Sequence, residues 1–224
     1  MIVAHVGLDG SGKSYGMAQD AKLAMARERK KKHPKEIWSI LPMSGSKKIH
    51  HPHQILFLEN SIIFLDEIQR FYPADNQPPD EIMQHIISTH RHQKNTIHWA
   101  SQDWTFVNSW IRRETAYCWQ YEAIHRDKLT GESRWFGTSL HRHKREMISG
   151  VHAERGYKRP HIFATQKFWV TKKGCALFDS YADVEVVLGD PKSQEYLATL
   201  VDPHYLPENL PPESLPDENA EPPG

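Results

Sequence analysis

Residues 7–14 read Gly7-Leu8-Asp9-Gly10-Ser11-Gly12-Lys13-Ser14, an ungapped G-x-x-x-x-G-K-[ST]. Residues of these types at this spacing hold polyphosphate. Glycines let the loop turn tightly and bring backbone N–H groups onto a β-phosphate. A helix starting at the end of the loop aims its positive end at the same oxygens. Lys13 then acts as a point charge on the β- and γ-phosphates, and the Ser14 hydroxyl is a ligand for Mg²⁺. The expected nucleotide-binding positions are Gly7, Asp9, Gly10, Ser11, Gly12, Lys13, Ser14 and Tyr15, and the expected cofactors are ATP and Mg²⁺.

A second motif supplies acids. Ile62-Ile63-Phe64-Leu65 is followed directly by Asp66-Glu67. A buried strand does not bury free carboxylates, so both acids should emerge at its C-terminal edge, where open α/β sheets bind ligands. Asp66 is placed to hold Mg²⁺, directly or through a water, and Glu67 to polarise an attacking water. A further segment, His98-Trp99-Ala100-Ser101-Gln102, ends in an amide that is either a γ-phosphate sensor or an ordinary loop residue. Arg91, Arg112 and Arg113 are candidates for an arginine that completes a neighbouring subunit's site. Each has an ordinary surface role as its alternative. The catalytic set read from the sequence is therefore Lys13, Glu67, Gln102 and Arg91, with Ser14 and Asp66 on the metal.

Elements that would position these groups follow from periodicity. Residues 2–6 are a short apolar run that Gly7 terminates, a buried strand. Residues 14–32 form a helix with Met17, Ala18, Ala21 and Met25 on its apolar side, ended by His33-Pro34. Strands are expected over 36–41, 61–66 and 96–101. Residues 54–58 are either a strand or a helical turn. Helices are expected over 81–92, with Asp80 as N-cap, and over 103–113. This alternation is that of an α/β domain with a mostly parallel sheet flanked by helices. After residue 115 the texture becomes β-rich. A hairpin of 116–124 and 133–140 turns at 129–132, a strand covers 162–170, and a short helix covers 191–200. The expected organisation is a P-loop core over 1–115, a β-rich appendage over 116–201 and a disordered acidic, Pro-rich tail over 202–224.

Composition narrows the classes. The chain has 224 residues, with 28 Lys+Arg against 28 Asp+Glu. That zero is a sum of two parts. Residues 202–224 hold six acids and no Lys or Arg, so the body carries +6. Cys118 and Cys175 form no C-x-x-C pair, which argues against a disulfide scaffold or a cysteine zinc site. No run approaches the roughly 18 apolar residues of a membrane span, and the N-terminus lacks a signal-peptide pattern. The 15 histidines include His50, His51, His53 and two H-x-H pairs, His90/His92 and His141/His143. They declare no ligand geometry and are expected to be partly exposed. Most tryptophans, among them Trp99, Trp104, Trp110 and Trp119, fall on core-facing positions. Basic residues of the β-rich part, including Arg142, Lys144, Arg145 and Arg155, are either a solvated face or a track for a DNA backbone.

Taken in order, the loop at 7–15, the acid-ended strand at 62–67, Thr89-His90-Arg91-His92 and the strand ending in Gln102 resemble the zonular occludens toxin-like family. That family includes the morphogenesis ATPases of filamentous phages and is similar to the FtsK/HerA motors. The resemblance covers roughly residues 1–115, and 116–190 only loosely, through Phe178-Asp179-Ser180-Tyr181. It implies an ATP hydrolase driving phage assembly and extrusion, or viral DNA packaging and translocation. The implied partners are further copies of the chain in a ring, viral DNA, and phage coat or assembly proteins. The family usually carries a transmembrane helix after the ATPase domain. No such span occurs in these 224 residues, so a membrane partner is an alternative to an anchor. The expected location is the host cytoplasm, including the periphery of the inner membrane. The rival readings are a small-molecule kinase on the same loop and a nucleotide-bound, non-catalytic scaffold.

Overall fold

The computed structural model describes residues 1–75, 77–123, 142–156, 160–170, 177 and 201–210. Near-continuous apolar runs supply its central strands. The eight strands are β1 (Ile2–Val6), β2 (Glu36–Ser39), β3 (Lys47–Lys48), β4 (Ser61–Leu65), β5 (Thr96–Ser101), β6 (Tyr117–Ala123), β7 (Arg142–Ser149) and β8 (Ala164–Trp169). They form one sheet in the order β3-β2-β4-β5-β1-β6-β7-β8. Pairings from β3 through β6 are parallel, and β7 and β8 continue the sheet antiparallel. Every residue of β1 and β4 is buried, as a parallel strand covered on both faces requires.

Helices α1 (Lys13–Glu28), α2 (Glu81–Thr89), α3 (Ser109–Arg113) and α4 (Gly150–Arg155) complete the fold. Strand register divides the core in two. Val3 pairs with His98, His5 with Ala100 and Trp119, and Phe64 with His98, so these side chains share one face. Met17, Ala18 and Ala21 of α1 pack on that face against Ile37, Ile62, Phe64 and Ala100. The opposite face carries Ile2, Ala4, Ile63, Leu65, Ile97 and Trp99 against Met83 and Ile86 of α2 and Ile111 of α3.

Capping explains where observed elements depart from the periodic pattern. Asp80 accepts the Met83 N–H at 2.9 Å, the expected N-cap of α2. α1 stops at Glu28 rather than 32. There the Glu28 carboxylate accepts from Lys31 Nζ at 2.6 Å and from the Lys35 N–H at 3.0 Å, so the chain folds back. The single helix expected over 103–113 is instead two pieces. Asp103 caps a 3-10 turn over Trp104–Phe106, and Asn108 accepts the Trp110 N–H at 3.0 Å to start α3. Of the two readings of residues 54–58, the helical turn holds, as a 3-10 turn over Pro52–Phe57.

Two further differences are larger. The antiparallel partner of β6 is β7 at 142–149, not a strand at 133–140. Residues 124–141, with the expected turn, lie outside the described residues, as do Cys175, Phe178–Tyr181 and the helix expected over 191–200. At the start of the tail expected to be disordered from 202, Pro203–Tyr205 and Pro207–Asn209 instead form two 3-10 turns against the sheet, and residues 211–224 lie outside the described residues. Asn209 accepts the Lys48 N–H at 2.9 Å and donates to the Lys48 carbonyl at 2.8 Å. Its amide thereby pairs with the edge strand β3 as one more ladder residue would.

Candidate nucleotide-binding site

β5 lies between β1 and β4, so three strand ends meet at one sheet edge. Val6 stands opposite Ser101 and Leu65 opposite Trp99. The 7–14 loop, Asp66-Glu67 and Gln102 therefore emerge side by side at the C-terminal edge. β1 is also where the topology reverses: the chain runs from it to β2 on one side, and β6 flanks it on the other.

Local conformation builds the loop. Gly10 (φ 73°) and Gly12 (φ 92°) occupy the left-handed region, which favours glycine at both positions. The Ser11 N–H donates to the Leu8 carbonyl at 3.0 Å and closes the turn. No side chain caps α1, so the N–H groups of its first turn point into the loop with the positive end of the helix. Lys13 is buried to 6 % exposure, with Nζ 3.4 Å from the Leu8 carbonyl and 3.8 Å from Asp9.

Acids meet the loop across 52 residues of sequence. Ser14 Oγ donates to Asp66 Oδ2 at 2.9 Å. Burial pushes the Asp66 carboxyl above the ordinary carboxylate range, while the Ser14 hydrogen bond and the Lys13 charge oppose that shift. Glu67 is also pushed up, first by burial and then by the Asp66 charge. A base raised in this way is better matched to proton abstraction near neutral pH. Glu67 sits in a left-handed conformation (φ 51°), uncommon for a residue with a side chain. Its N–H donates to Asp66 Oδ1 at 3.0 Å, and its carboxylate accepts from Gln69 Nε2 at 2.5 Å. These bonds hold the strained turn and aim the carboxylate along the edge.

No protein-family model matches this sequence, and no curated protein matches it. Solved structures do. The chain aligns with the N-terminal domain of zonular occludens toxin from Neisseria meningitidis at TM-score 0.51 and 17% identity, covering 80% of this chain and 98% of that one. It has the zonular occludens toxin N-terminal fold. A weaker likeness, TM-score 0.47 at 12% identity, is to B204, the DNA-packaging ATPase from Sulfolobus turreted icosahedral virus. That alignment covers 72% of this chain and 95% of B204. B204 from the related virus 2 has been solved in complex with ATP-gammaS and aligns at 11% identity and TM-score 0.47, over 72% of this chain and 95% of that one. The mostly parallel sheet of this chain, flanked by helices, is the α/β architecture that the sequence pattern predicts.

Within that fold the sequence-derived residues divide. Gly7 to Ser14, Asp66, Glu67 and Gln102 come together at one edge. The ring of Tyr15 is turned to the interior, buried and stacked on Phe168 at 5.7 Å. Arg91 lies in the turn from α2 to β5, at the opposite edge of the sheet. It does not reach the loop of its own chain. Arg112 and Arg113, at the end of α3 before β6, share that far edge, and Arg112 is paired with Glu154 at 2.7 Å. The arginine beside Glu67 is Arg70, with Nε 3.9 Å away, a residue that no sequence motif marks. Among the described residues no group of three His, Cys, Asp or Glu is arranged to hold a metal, and no helix is long and apolar enough to cross a membrane.

Histidines and one arginine correct the surface picture. His5, His53, His90 and His143 are buried, not partly exposed. Arg145, expected on a solvated or DNA-facing surface, is buried on the α1 face. It makes bidentate bonds to Asp20 of α1, both at 2.7 Å, and donates to Tyr121 Oη at 2.8 Å. Tyr121 meets His5 Nδ1 at 2.8 Å, and His5 Nε2 meets His98 Nδ1 at 3.0 Å. A strand-face histidine remains buried when neighbours satisfy both ring nitrogens. Trp38, Trp99, Trp104 and Trp119 are core residues as expected, whereas Trp110 is 46% exposed.

Burial holds His98 down at about 4 and His5 well below its ordinary value. In the unfolded chain both titrate near 6.5, so between about 4 and 6.5 the unfolded state binds more protons. Stability should therefore be full above pH 6.5 and fall as the pH drops toward 4. Urea midpoints measured from pH 7.5 to pH 4 should decline across that window. In a His98→Gln variant the decline should be shallower.

Proposed function

We propose that this chain is a Mg²⁺-dependent ATP hydrolase that works as a homo-oligomeric ring and drives viral DNA or an assembling virion. The single observation that carries this reading is the 2.9 Å bond from Ser14 to Asp66, which joins the phosphate loop to the acid-ended strand. Both oxygens are hard donors that suit Mg²⁺, an ion that keeps several waters and takes one or two carboxylates beside substrate phosphates. When bound, Mg²⁺ supplies positive charge against the β- and γ-phosphate oxygens.

The chain's own groups do the rest. N–H groups of the loop and of the first turn of α1 hold the phosphates, and Lys13 adds a full charge. Glu67 accepts the proton of the attacking water, and Gln102 lies at the neighbouring strand end to orient it. Arg70 stands beside Glu67 in the same chain. Arg91 and Arg113 lie at the far edge of the sheet, where in a ring they could serve only a neighbouring copy, whereas Arg112 is held by Glu154 in its own chain. This supports a site completed between subunits. Coat or assembly proteins and viral DNA are the proposed partners. The place of action is the host cytoplasm, with docking at the inner membrane through a membrane partner.

Steady-state phosphate release, with and without single- and double-stranded DNA, tests the reading alongside light scattering in ATP·Mg²⁺. Phosphate release by an oligomer, stimulated by DNA, is the expected result. Nucleotide binding without phosphate release would identify a scaffold instead. Transfer of phosphate to a small hydroxyl acceptor would identify a kinase.

A further inference from the structure

The phosphate loop is held from behind by strands that belong to no motif. His143 of β7 is buried to 4 % exposure, and its Nδ1 lies 2.9 Å from the Ser11 carbonyl oxygen. A carbonyl only accepts, so Nδ1 carries the hydrogen and donates. The ring is fixed in turn by Phe168 of β8, stacked at 5.5 Å and 19°. Phe168 also stacks on Tyr15 of α1. Two residues along the same face of β7, Arg145 clamps Asp20 of α1. β7 and β8 thus grip both the loop and the helix that follows it.

The grip on Ser11 has a directional consequence. The peptide joining Ser11 and Gly12 is planar and trans, so its C=O and N–H point in opposite directions. Holding the carbonyl toward β7 therefore directs the Gly12 N–H away from β7. Gly12 itself sits tightly there: a Cβ would lie 3.3 Å from His143 Nδ1 and 3.4 Å from Phe168.

We propose that His143 is a positioning residue of the nucleotide site: by holding the Ser11 carbonyl, it turns the Gly12 N–H onto the β-phosphate and sets the affinity for diphosphate-bearing nucleotides. The proposal rests on the nucleotide-binding reading above.

Calorimetric titration of the full chain with ADP tests it, on wild type, His143→Phe and His143→Asn. Phenylalanine keeps the stack on Phe168 and loses the donor. Asparagine places an amide N–H where Nδ1 stood. His143→Phe should bind ADP about tenfold more weakly, the consequence of an unsatisfied buried carbonyl and a misdirected N–H. His143→Asn should recover most of that loss. Equal ADP affinity in wild type and His143→Phe would overturn the proposal alone. Asparagine no better than phenylalanine would also overturn it, because the hydrogen bond would then not be the cause. Failure of the wild-type chain itself to bind ADP would overturn the nucleotide reading, and this proposal with it.

Discussion

Alanine at Lys13 is expected to abolish nucleotide binding and turnover together, whereas glutamine at Glu67 is expected to leave binding within a few-fold and lower turnover about 10²- to 10⁴-fold. The two residues sit at the same sheet edge but do different work. Lys13 is the buried cation of the loop, held near the Leu8 carbonyl and Asp9, and nothing else in the loop replaces its charge. Glu67 is the proposed base, and burial and Asp66 raise its proton affinity. Glutamine preserves its size and its partner Gln69 while removing that basicity. Equilibrium binding of a fluorescent ATP analogue and a phosphate-release assay separate the two effects. Normal hydrolysis by Glu67→Gln would remove Glu67 as the base and direct attention to the neighbouring strand end at Gln102.

The largest effect on stability is expected at Asp20 of α1, a residue outside every motif. Asp20→Ala leaves Arg145 buried without its bidentate partner. Removing one member of a buried ion pair typically costs about 3 to 5 kcal/mol. Arg145 retains Tyr121 Oη and Gln166 Oε1 as acceptors, and its guanidinium lies 4.3 Å from the Trp119 ring. We therefore expect the low end, about 3 kcal/mol, measured as a lowered urea midpoint. The double variant Asp20→Ala/Arg145→Met should be less destabilised than the sum of the single variants, because no charge is then left unpaired. Strict additivity would show that the pair contributes nothing to the docking of β7 on α1.

Much of the core and of the candidate site was legible from residue order. The parallel strands are near-continuous apolar runs, and 96–101 was bounded correctly because turn residues flank it. The loop and the acid pair were legible because phosphate and metal chemistry restricts both residue types and spacing. What failed were features set by partners distant in the chain. β7 and α4 lie in a polar stretch, RHKREMIS followed by GVHAER, with no clean alternation to mark them. Asn209 pairs with Lys48 across 161 residues, and no local composition signals that contact.

The sequence by itself determined that a G-x-x-x-x-G-K-S loop and two strand-end acids are present, because these are local patterns of residue type and spacing. Tertiary structure alone decided which groups share an edge. Placing β5 between β1 and β4 brought Gln102 beside Glu67, and it left Arg91 at the far end of its own strand connection. Folding β7 and β8 onto the α1 face made His143 and Arg145 internal. Their types, a histidine and an arginine in a basic stretch, point outward by composition. They are buried because the Ser11 carbonyl and the Asp20 carboxylate, each more than a hundred residues away, satisfy them there.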